Sequence, residues 1–581
     1  MRQIDLCDNR NGEMAQTNDS EMRDHDSSNP QFDAFSQARE LSPSSQTTPD
    51  QGQEPDQLEG IDSTMIDAEE PNQLYYEIEF PAPVEDPNAY GPGGLHPVQL
   101  GDTLGDDNQF RVVHKLGDGG FGTVWLCRDT ISSKWRAVKI IAAGASDPEN
   151  EGSCPDLAIM ERFADLTPKE LAEQHIGIPI EYFWLDGPNG RHLCTVMPLL
   201  GPRLADIYQW YGTCPMLLKH LCFQVTKGLS FLHSHGYCHG DLRPENILFQ
   251  LADGIDELSE DELLQLLGRP ETVKVVTFGG DSVGPGVPEY LVSKTAITFA
   301  SGMCSTNVAI TDLGLSYPID GPPNAGIPLP YAAPEDIFGC GTLGPAADVW
   351  ALGCTIMQIA TNLLPWRNDL EVHGMVQKME ETMGPLPHPF RDAWEREFQY
   401  AYENDREDES VFVSISQERL EQTRKRRIES GDLPDYLLGE LVNACWRLSV
   451  SYDQAAEIAT QDYARTGVLP GFTKLDRIAA YDDRVEHRRD EADMKLLHDL
   501  LMRIFRWHPE SRASVDEVLD HPWLEAWFNC KENPSTEASP PASEDSFKTW
   551  FITCLMAIFG ATFRTAKGLI IGEGENQQPR A

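Results

Sequence analysis

Basic side chains are scarce in this chain. Its 581 residues hold 46 Lys and Arg against 93 Asp and Glu, a formal net charge of -47, so nucleic acid and anionic membranes meet repulsion from the body of the protein. Basic partners are favoured, or the acidity is a solubilising surface without partner meaning. Also missing is any C-x-x-C pair among the 13 cysteines. That argues against a zinc site and a disulfide framework and points to a reducing, intracellular compartment, cytoplasm or nucleus. No apolar core follows a basic start at the N-terminus, so no secretory signal is expected. The apolar stretch WFITCLMAIFGATF at 550–563 stops at 14 residues between Lys548 and Arg564, short of the roughly 20 that a membrane-spanning helix needs. It reads as an interfacial or partner-binding helix, or as a tail folded onto the body. No repeat of 20–50 residues is visible, which removes solenoids and propellers.

Residues 1–72 carry 17 acidic and 4 basic side chains among Gln, Ser, Thr, Asn and Pro, too little apolar surface to offset ordering entropy, and are expected to be a disordered acidic tail. From residue 73 the character changes. YYEIEF alternates like a strand, RVVHKLGDGGFGTVWLCRD (111–129) reads as two β-rich runs around a glycine turn, and SKWRAVKIIAAG (133–144) as a third strand. Beyond 200 helical periodicity dominates, as in PMLLKHLCFQVTKGLSFLHSHG (215–236). The expected architecture is α+β: a β-rich unit over 73–200, a helical unit over 201–528 and a C-terminal tail over 529–581.

Gly117, Gly119 and Gly122 in GDGGFGTV have G-x-G-x-x-G spacing. TVWLCRD follows them, a strand and not a helix, so the glycines turn a hairpin instead of opening a dinucleotide fold. Such a flap lays backbone N–H groups over phosphates, and Val124 would rest on a flat base. Lys139 sits 22 residues after Gly117, two past Ala137. A lysine among apolar strand residues needs a partner, and a phosphate contact fits it better than a snorkelling edge position. Its carboxylate would come from CPDLAIMERFADL (154–166): Asp156 by the spacing from Met160 and Phe163, or Glu161. In HGDLRPEN, His239, Asp241, Arg243, Glu245 and Asn246 crowd between an apolar helix and the strand ILFQL. Asp241 suits a base for a hydroxyl proton, Arg243 a hold on the transferred phosphate and Asn246 a magnesium ligand. Asp312 ends the strand VAITD before Leu313 and Gly314, a position suited to Mg2+ with few protein ligands.

Together these motifs resemble the eukaryotic protein kinase family over about residues 100–528. GDGGFGTV, AVK, HGDLRPEN, DLG, AAPE (332–335), ADVWALG (347–353) and HPESRASVDEVLDHPWL (508–524) occur in family order. The resemblance implies a two-lobed fold, ATP and Mg2+ as cofactors, and a nucleotide site built from Gly117, Asp118, Gly119, Gly120, Phe121, Gly122, Val124, Ala137 and Lys139. It also implies a gatekeeper at Met197 and hinge contacts near Pro198 to Leu200. Asp348 would anchor the catalytic loop and Glu335 would pair with Arg512. Within the family the chain looks most like fungal relatives of the SR-protein kinases, which phosphorylate arginine-serine tracts. The lead-in YGPGGLHPVQLGD and the insert IDELSEDELLQLLGRPE to PEYLV (255–292, within an inserted region near 250–305) carry this likeness. A second insertion, 384–490, has no assignment.

The expected function is that of a serine/threonine protein kinase acting on basic or arginine-serine-rich proteins. A pseudokinase scaffold, binding nucleotide or partners without turnover, is the alternative. Gly240 replaces the family's usual arginine, Arg243 the usual lysine and Leu313 the usual phenylalanine. The usual arginine binds an activation-segment phosphate in many kinases. Between Asp312 and Glu335 there are Ser316, Tyr317 and Tyr331 but no threonine, so activity is expected not to depend on phosphorylation there.

Overall fold

A computed structural model describes residues 76–78, 82–147, 149, 154–207, 215–277, 283–295, 304–324, 326–366, 372–396 and 491–529, with isolated positions between 421 and 441. The acidic segment 1–72, most of 384–490 and the apolar stretch 550–563 lie outside the described residues.

Thirteen strands are described: β1 (Tyr76–Ile78), β2 (Thr103–Leu104), β3 (Phe110–Gly119), β4 (Gly122–Asp129), β5 (Lys134–Ile141), β6 (Glu181–Gly187), β7 (Gly190–Pro198), β8 (Tyr237–Cys238), β9 (Ile247–Leu251), β10 (Thr272–Thr277), β11 (Tyr290–Val292), β12 (Cys304–Ile310) and β13 (Tyr317–Pro318). Six of them make one antiparallel sheet in the order β2-β3-β4-β5-β7-β6. The β3–β4 turn depends on Gly122, at φ +155°, where a Cβ would collide with the Ile140 carbonyl oxygen. One face of the sheet buries Leu104, Trp125, Cys127, Val138 and Ile140 together with Val98 of the lead-in. On the other face, Val113, Leu126 and Trp135 receive Leu263, Leu264 and Leu267 from the insert. A buried leucine of this kind contributes about 1.5–3 kcal/mol.

Before the insert come α1 (Pro155–Arg162), α2 (Pro168–Glu173) and α3 (Pro215–Ser234), the last matching the periodicity read over 215–236. The insert helix α4 (Glu260–Leu267) starts with a capping box, Ser259 and Glu262 satisfying each other's backbone N–H groups. The remaining helices are α5 (Pro334–Ile337), α6 (Pro345–Thr361), α7 (Val372–Met383), α8 (Glu491–Ile504), α9 (Val515–Leu519) and α10 (Pro522–Asn529). They share the larger core with α3, whose Leu221, Val225 and Leu229 are fully buried beside Trp350, Trp366 and Phe505. Those three rings stack and cross with centroids 5.0–5.8 Å apart. A β-rich small lobe and a helical large lobe result, the two-lobed architecture expected. The insert packs on the small-lobe side in two places: β10 and β11 extend β1 into a three-stranded sheet, and α4 lies on the six-stranded sheet. The eight described cysteines are free thiols. Among the described residues no helix is long and apolar enough to cross a membrane.

Candidate active site

Strand register decides which side chains share a surface. Val124 pairs with Lys139 and Lys139 with Thr195, while Leu126 pairs with Ala137 and Ala137 with Met197. Cross-strand partners point to one side and neighbours alternate, so Val124, Ala137, Lys139 and Met197 share a face, with Gly117 opposite Val124. A Cβ added to Gly117, Gly119 or Gly120 would meet nothing within 4 Å, which leaves the hairpin's backbone open to a ligand. Phe121 is 71% exposed at the tip. One residue expected at the nucleotide turns elsewhere: Asp118 belongs to the opposite face, its carboxylate 3.4 Å from the Lys115 ammonium. Leu200 lies past the end of β7.

Below the sheet, the catalytic-loop residues hang from a single carboxylate. Asp348, on α6, accepts from the backbone N–H of His239 (2.7 Å) and of Gly240 (2.9 Å) and from His233 Nε2 (2.9 Å). Burial would raise its carboxyl, yet the His233 hydrogen bond and the neighbouring imidazoles hold it below the usual range. The two resemblance-based expectations for the large lobe hold here: Asp348 anchors this loop, and Arg512 meets Glu335 through two parallel bonds of 2.6 and 2.5 Å. His239 Nδ1 accepts the Asp241 N–H (3.1 Å), so its Nε2 carries the hydrogen and donates to Thr311 O (3.1 Å). Thr311 in turn donates its N–H (2.8 Å) and hydroxyl (3.1 Å) to Asn246 O. Histidine and threonine thus bind the end of β12 to the loop before β9. That brings Asp312 beside Asn246.

Asp241 is 7% exposed. Its carboxylate accepts from Asn246 Nδ2 at 2.7 Å and from Arg243 Nε at 3.1 and 3.2 Å. Burial pushes its carboxyl upward, against the pull of Arg243 and Asn246. Arg243, expected on a transferred phosphate, is here a partner of Asp241.

The expected ion pair needs correction. Lys139 Nζ contacts Asp312 Oδ1 at 2.8 Å, not the carboxylate of α1. Asp156 is nevertheless the acid of α1 that faces the cleft, 6% exposed, whereas Glu161 is exposed. Its short side chain leaves it as a second, buried carboxylate: a Cβ on Gly314 would lie 3.7 Å from both Asp156 Oδ2 and Asp312 Oδ1. Burial raises the Asp156 carboxyl, with Lys139 opposing and Asp312 adding to the rise. Burial also works against ionising Asp312 and Lys139, but their contact outweighs it, lowering the first and raising the second. Asp312 is left-handed, φ 59° and ψ 64°, a conformation costly for a non-glycine residue.

Carboxylate and amide oxygens from Asp312 and Asn246 are hard donors that suit a divalent cation such as Mg2+, and the open glycine hairpin suits phosphates. Sequence reading missed Thr311 and also Lys115. The second omission was avoidable, since Lys115 sits among apolar strand residues as Lys139 does.

Comparison with known proteins agrees with this geometry. The protein kinase domain family matches residues 110–279 and 297–524. The protein kinase dsk1 of Schizosaccharomyces pombe is 34% identical over 202 residues, 34% of this chain and 35% of its own. Human SRSF protein kinase 3 is 34% identical over 173 residues, 29% of this chain and 30% of its own. Serine/threonine-protein kinase SKY1 of Saccharomyces cerevisiae is 32% identical over 180 residues, 29% of this chain and 24% of its own. The aligned stretches thus span about a third or less of these relatives.

Proposed function

Because the chain belongs to the protein kinase domain family, we propose that it transfers the γ-phosphate of ATP, with Mg2+, to serine and threonine hydroxyls of basic, arginine-serine-rich proteins. The observation that carries this reading is the meeting of Lys139, Asp241, Asn246 and Asp312 from separate elements. Lys139 bonds to Asp312 at 2.8 Å and Asn246 to Asp241 at 2.7 Å, with the His239–Thr311 bond joining the loop after β8 to the end of β12.

Asp241 orients the substrate hydroxyl and accepts its proton as the oxygen attacks the γ-phosphorus and the bond to the ADP oxygen breaks. Lys139 and the backbone N–H groups of the hairpin hold the phosphates. Asp312 and Asn246 would hold the metal ion, which supplies positive charge to the phosphate oxygens. Lys139 then exchanges a carboxylate for phosphate, leaving Asp312 for the metal. Arg243 keeps the Asp241 carboxylate in place. The names of the relatives and the charge of -47, which attracts cationic substrates, support the substrate class.

The test is phosphate transfer from labelled ATP to an arginine-serine peptide by the protein and by Asp241→Ala. We expect a loss of at least about a hundredfold, the usual contribution of a positioned base; equal incorporation by both would sink the proposal.

A further inference from the structure

Beneath the glycine hairpin, on the face turned away from Lys139, lies a fully buried lysine. Lys115 Nζ has no solvent exposure and forms an ion pair with Glu85 of the lead-in. Asp118, inside the GDGGFG turn, has its carboxylate 3.4 Å from the same ammonium. Simple alternation along β3 would put residues 115 and 118 on opposite faces. The register shift between Lys115 and Gly117 reverses that: Lys115 stands opposite Trp125 and Asp118 opposite Thr123, two positions of β4 on one face. Trp125 Nε1 donates to Thr123 Oγ1 at 2.9 Å along that face.

Glu85 is itself held. Its other oxygen accepts from Tyr90 OH at 2.6 Å, and the turn between them is capped by Asp86 on the Asn88 N–H. Downstream, the lead-in docks on the small lobe at Gly93 and Gly94, bonded to the backbone of Gly144 (2.6 Å) and Ala143 (3.0 Å). The Asn189 amide donates to Leu95 O at 2.6 Å and to Gly286 O at 2.7 Å. A segment anchored this firmly is a fixed point against which the hairpin can be set.

We propose that Glu85, Lys115 and Asp118 form a latch by which the lead-in fixes the position of the glycine hairpin from behind. They are positioning residues for nucleotide, and the proposal rests on reading the hairpin as the phosphate-binding flap. A carboxylate in such a flap is electrostatically adverse to phosphates. Lys115 draws it away and neutralises it. A buried ammonium without these carboxylates would be strongly disfavoured, so flap position and charge are settled by one contact.

The sign of one substitution separates the latch from a direct charge effect. If Asp118 acted on the nucleotide by charge, Asp118→Asn would tighten binding; as a latch it weakens it. Calorimetry with Mg2+ and a non-hydrolysable ATP analogue, together with steady-state kinetics, would be run on the full chain, Glu85→Gln, Asp118→Asn and the double variant. The latch predicts nucleotide Kd and KM for ATP raised roughly tenfold in each single variant, the size of one lost buried charge contact. The KM for an arginine-serine peptide stays unchanged, and the double variant is no worse than the weaker-binding single. Asp118→Asn leaves the Glu85–Lys115 pair intact and keeps the test decisive if Glu85→Gln fails to fold. Unmoved or tighter nucleotide binding by Asp118→Asn, or fully additive effects, would overturn the latch while the nucleotide site stands. No binding by the unaltered chain would overturn the reading of the cleft and the latch with it.

Discussion

Two ion pairs divide this molecule. Arg512 and Glu335 are 0% and 1% exposed and meet through two parallel bonds, with Arg512 also donating to the carbonyls of Arg506, Trp507 and Ala346. Lys139 and Asp312 are 20% and 49% exposed and share one bond. The first has every donor occupied by protein and no room for a ligand. The second couples a strained residue to a lysine with a spare carboxylate nearby, Asp156, and is built to be exchanged. On the proposed function, one pair belongs to the fold and the other to the chemistry, because only the second is open enough for a phosphate or a metal to take a partner's place.

Breaking the structural pair should have the largest effect. Glu335→Gln leaves Arg512 without a counter-charge in the core, and we expect a loss of about 3–5 kcal/mol of stability, read from the denaturant midpoint. A loss under about 1 kcal/mol, the size of an exposed pair, would erase the distinction.

Asp348→Asn is next, with an expected cost of about 2–3 kcal/mol for hydrogen bonds to a charged acceptor, and it has a pH signature. Against the effect of burial, the His233 hydrogen bond holds the Asp348 carboxyl below the usual carboxylate range in the folded state. Its stabilisation is therefore complete above the unfolded-state pKa and lost as pH falls through the lower folded one. Unfolding free energy measured from pH 6 to pH 2 should fall more steeply in the unaltered protein than in the variant. Parallel curves would show that Asp348 is not the source of this pH dependence.

Gly240→Ala should cost somewhat less, about 1–2 kcal/mol for forcing a side chain into the left-handed region. The position is at φ +80°, and a Cβ there would also meet the Leu315 carbonyl oxygen. The arginine missing from this loop is thus excluded by the backbone and by Leu315. Ser316, Tyr317 and Tyr331 are 3%, 3% and 5% exposed, out of easy reach of a modifying enzyme. Phosphatase treatment should leave turnover of the arginine-serine peptide unchanged; loss of most activity would contradict this reading.

What could be read from sequence follows from distance along the chain. Gly117 to Gly122, Lys139, Asp241, Asn246 and Asp312 could be singled out as candidates because each lies in a short motif whose spacing expresses its local geometry. The partner of Lys139 could not, since Asp312 is 173 residues away and its competition with Asp156 is settled only by tertiary structure. The family resemblance of GDGGFG places Asp118 at the nucleotide, whereas the register shift after Lys115 sets it on the opposite face. The bulge that turns it toward Lys115 has no signature in GDGGFG. The insert was visible as an insertion, but its packing on Trp135, whose indole donates to Leu258 O at 3.2 Å, is a tertiary choice that periodicity cannot state.

The most direct measurement is a side-by-side determination of unfolding free energy and peptide phosphorylation, with ATP and Mg2+, for Asp312→Asn. A partly exposed pair is worth about 1 kcal/mol or less, so stability should stay within that margin while phosphorylation falls by at least about a hundredfold. A variant that phosphorylates at the rate of the unaltered protein, or one that unfolds as readily as Glu335→Gln, would contradict the division of labour between the two pairs.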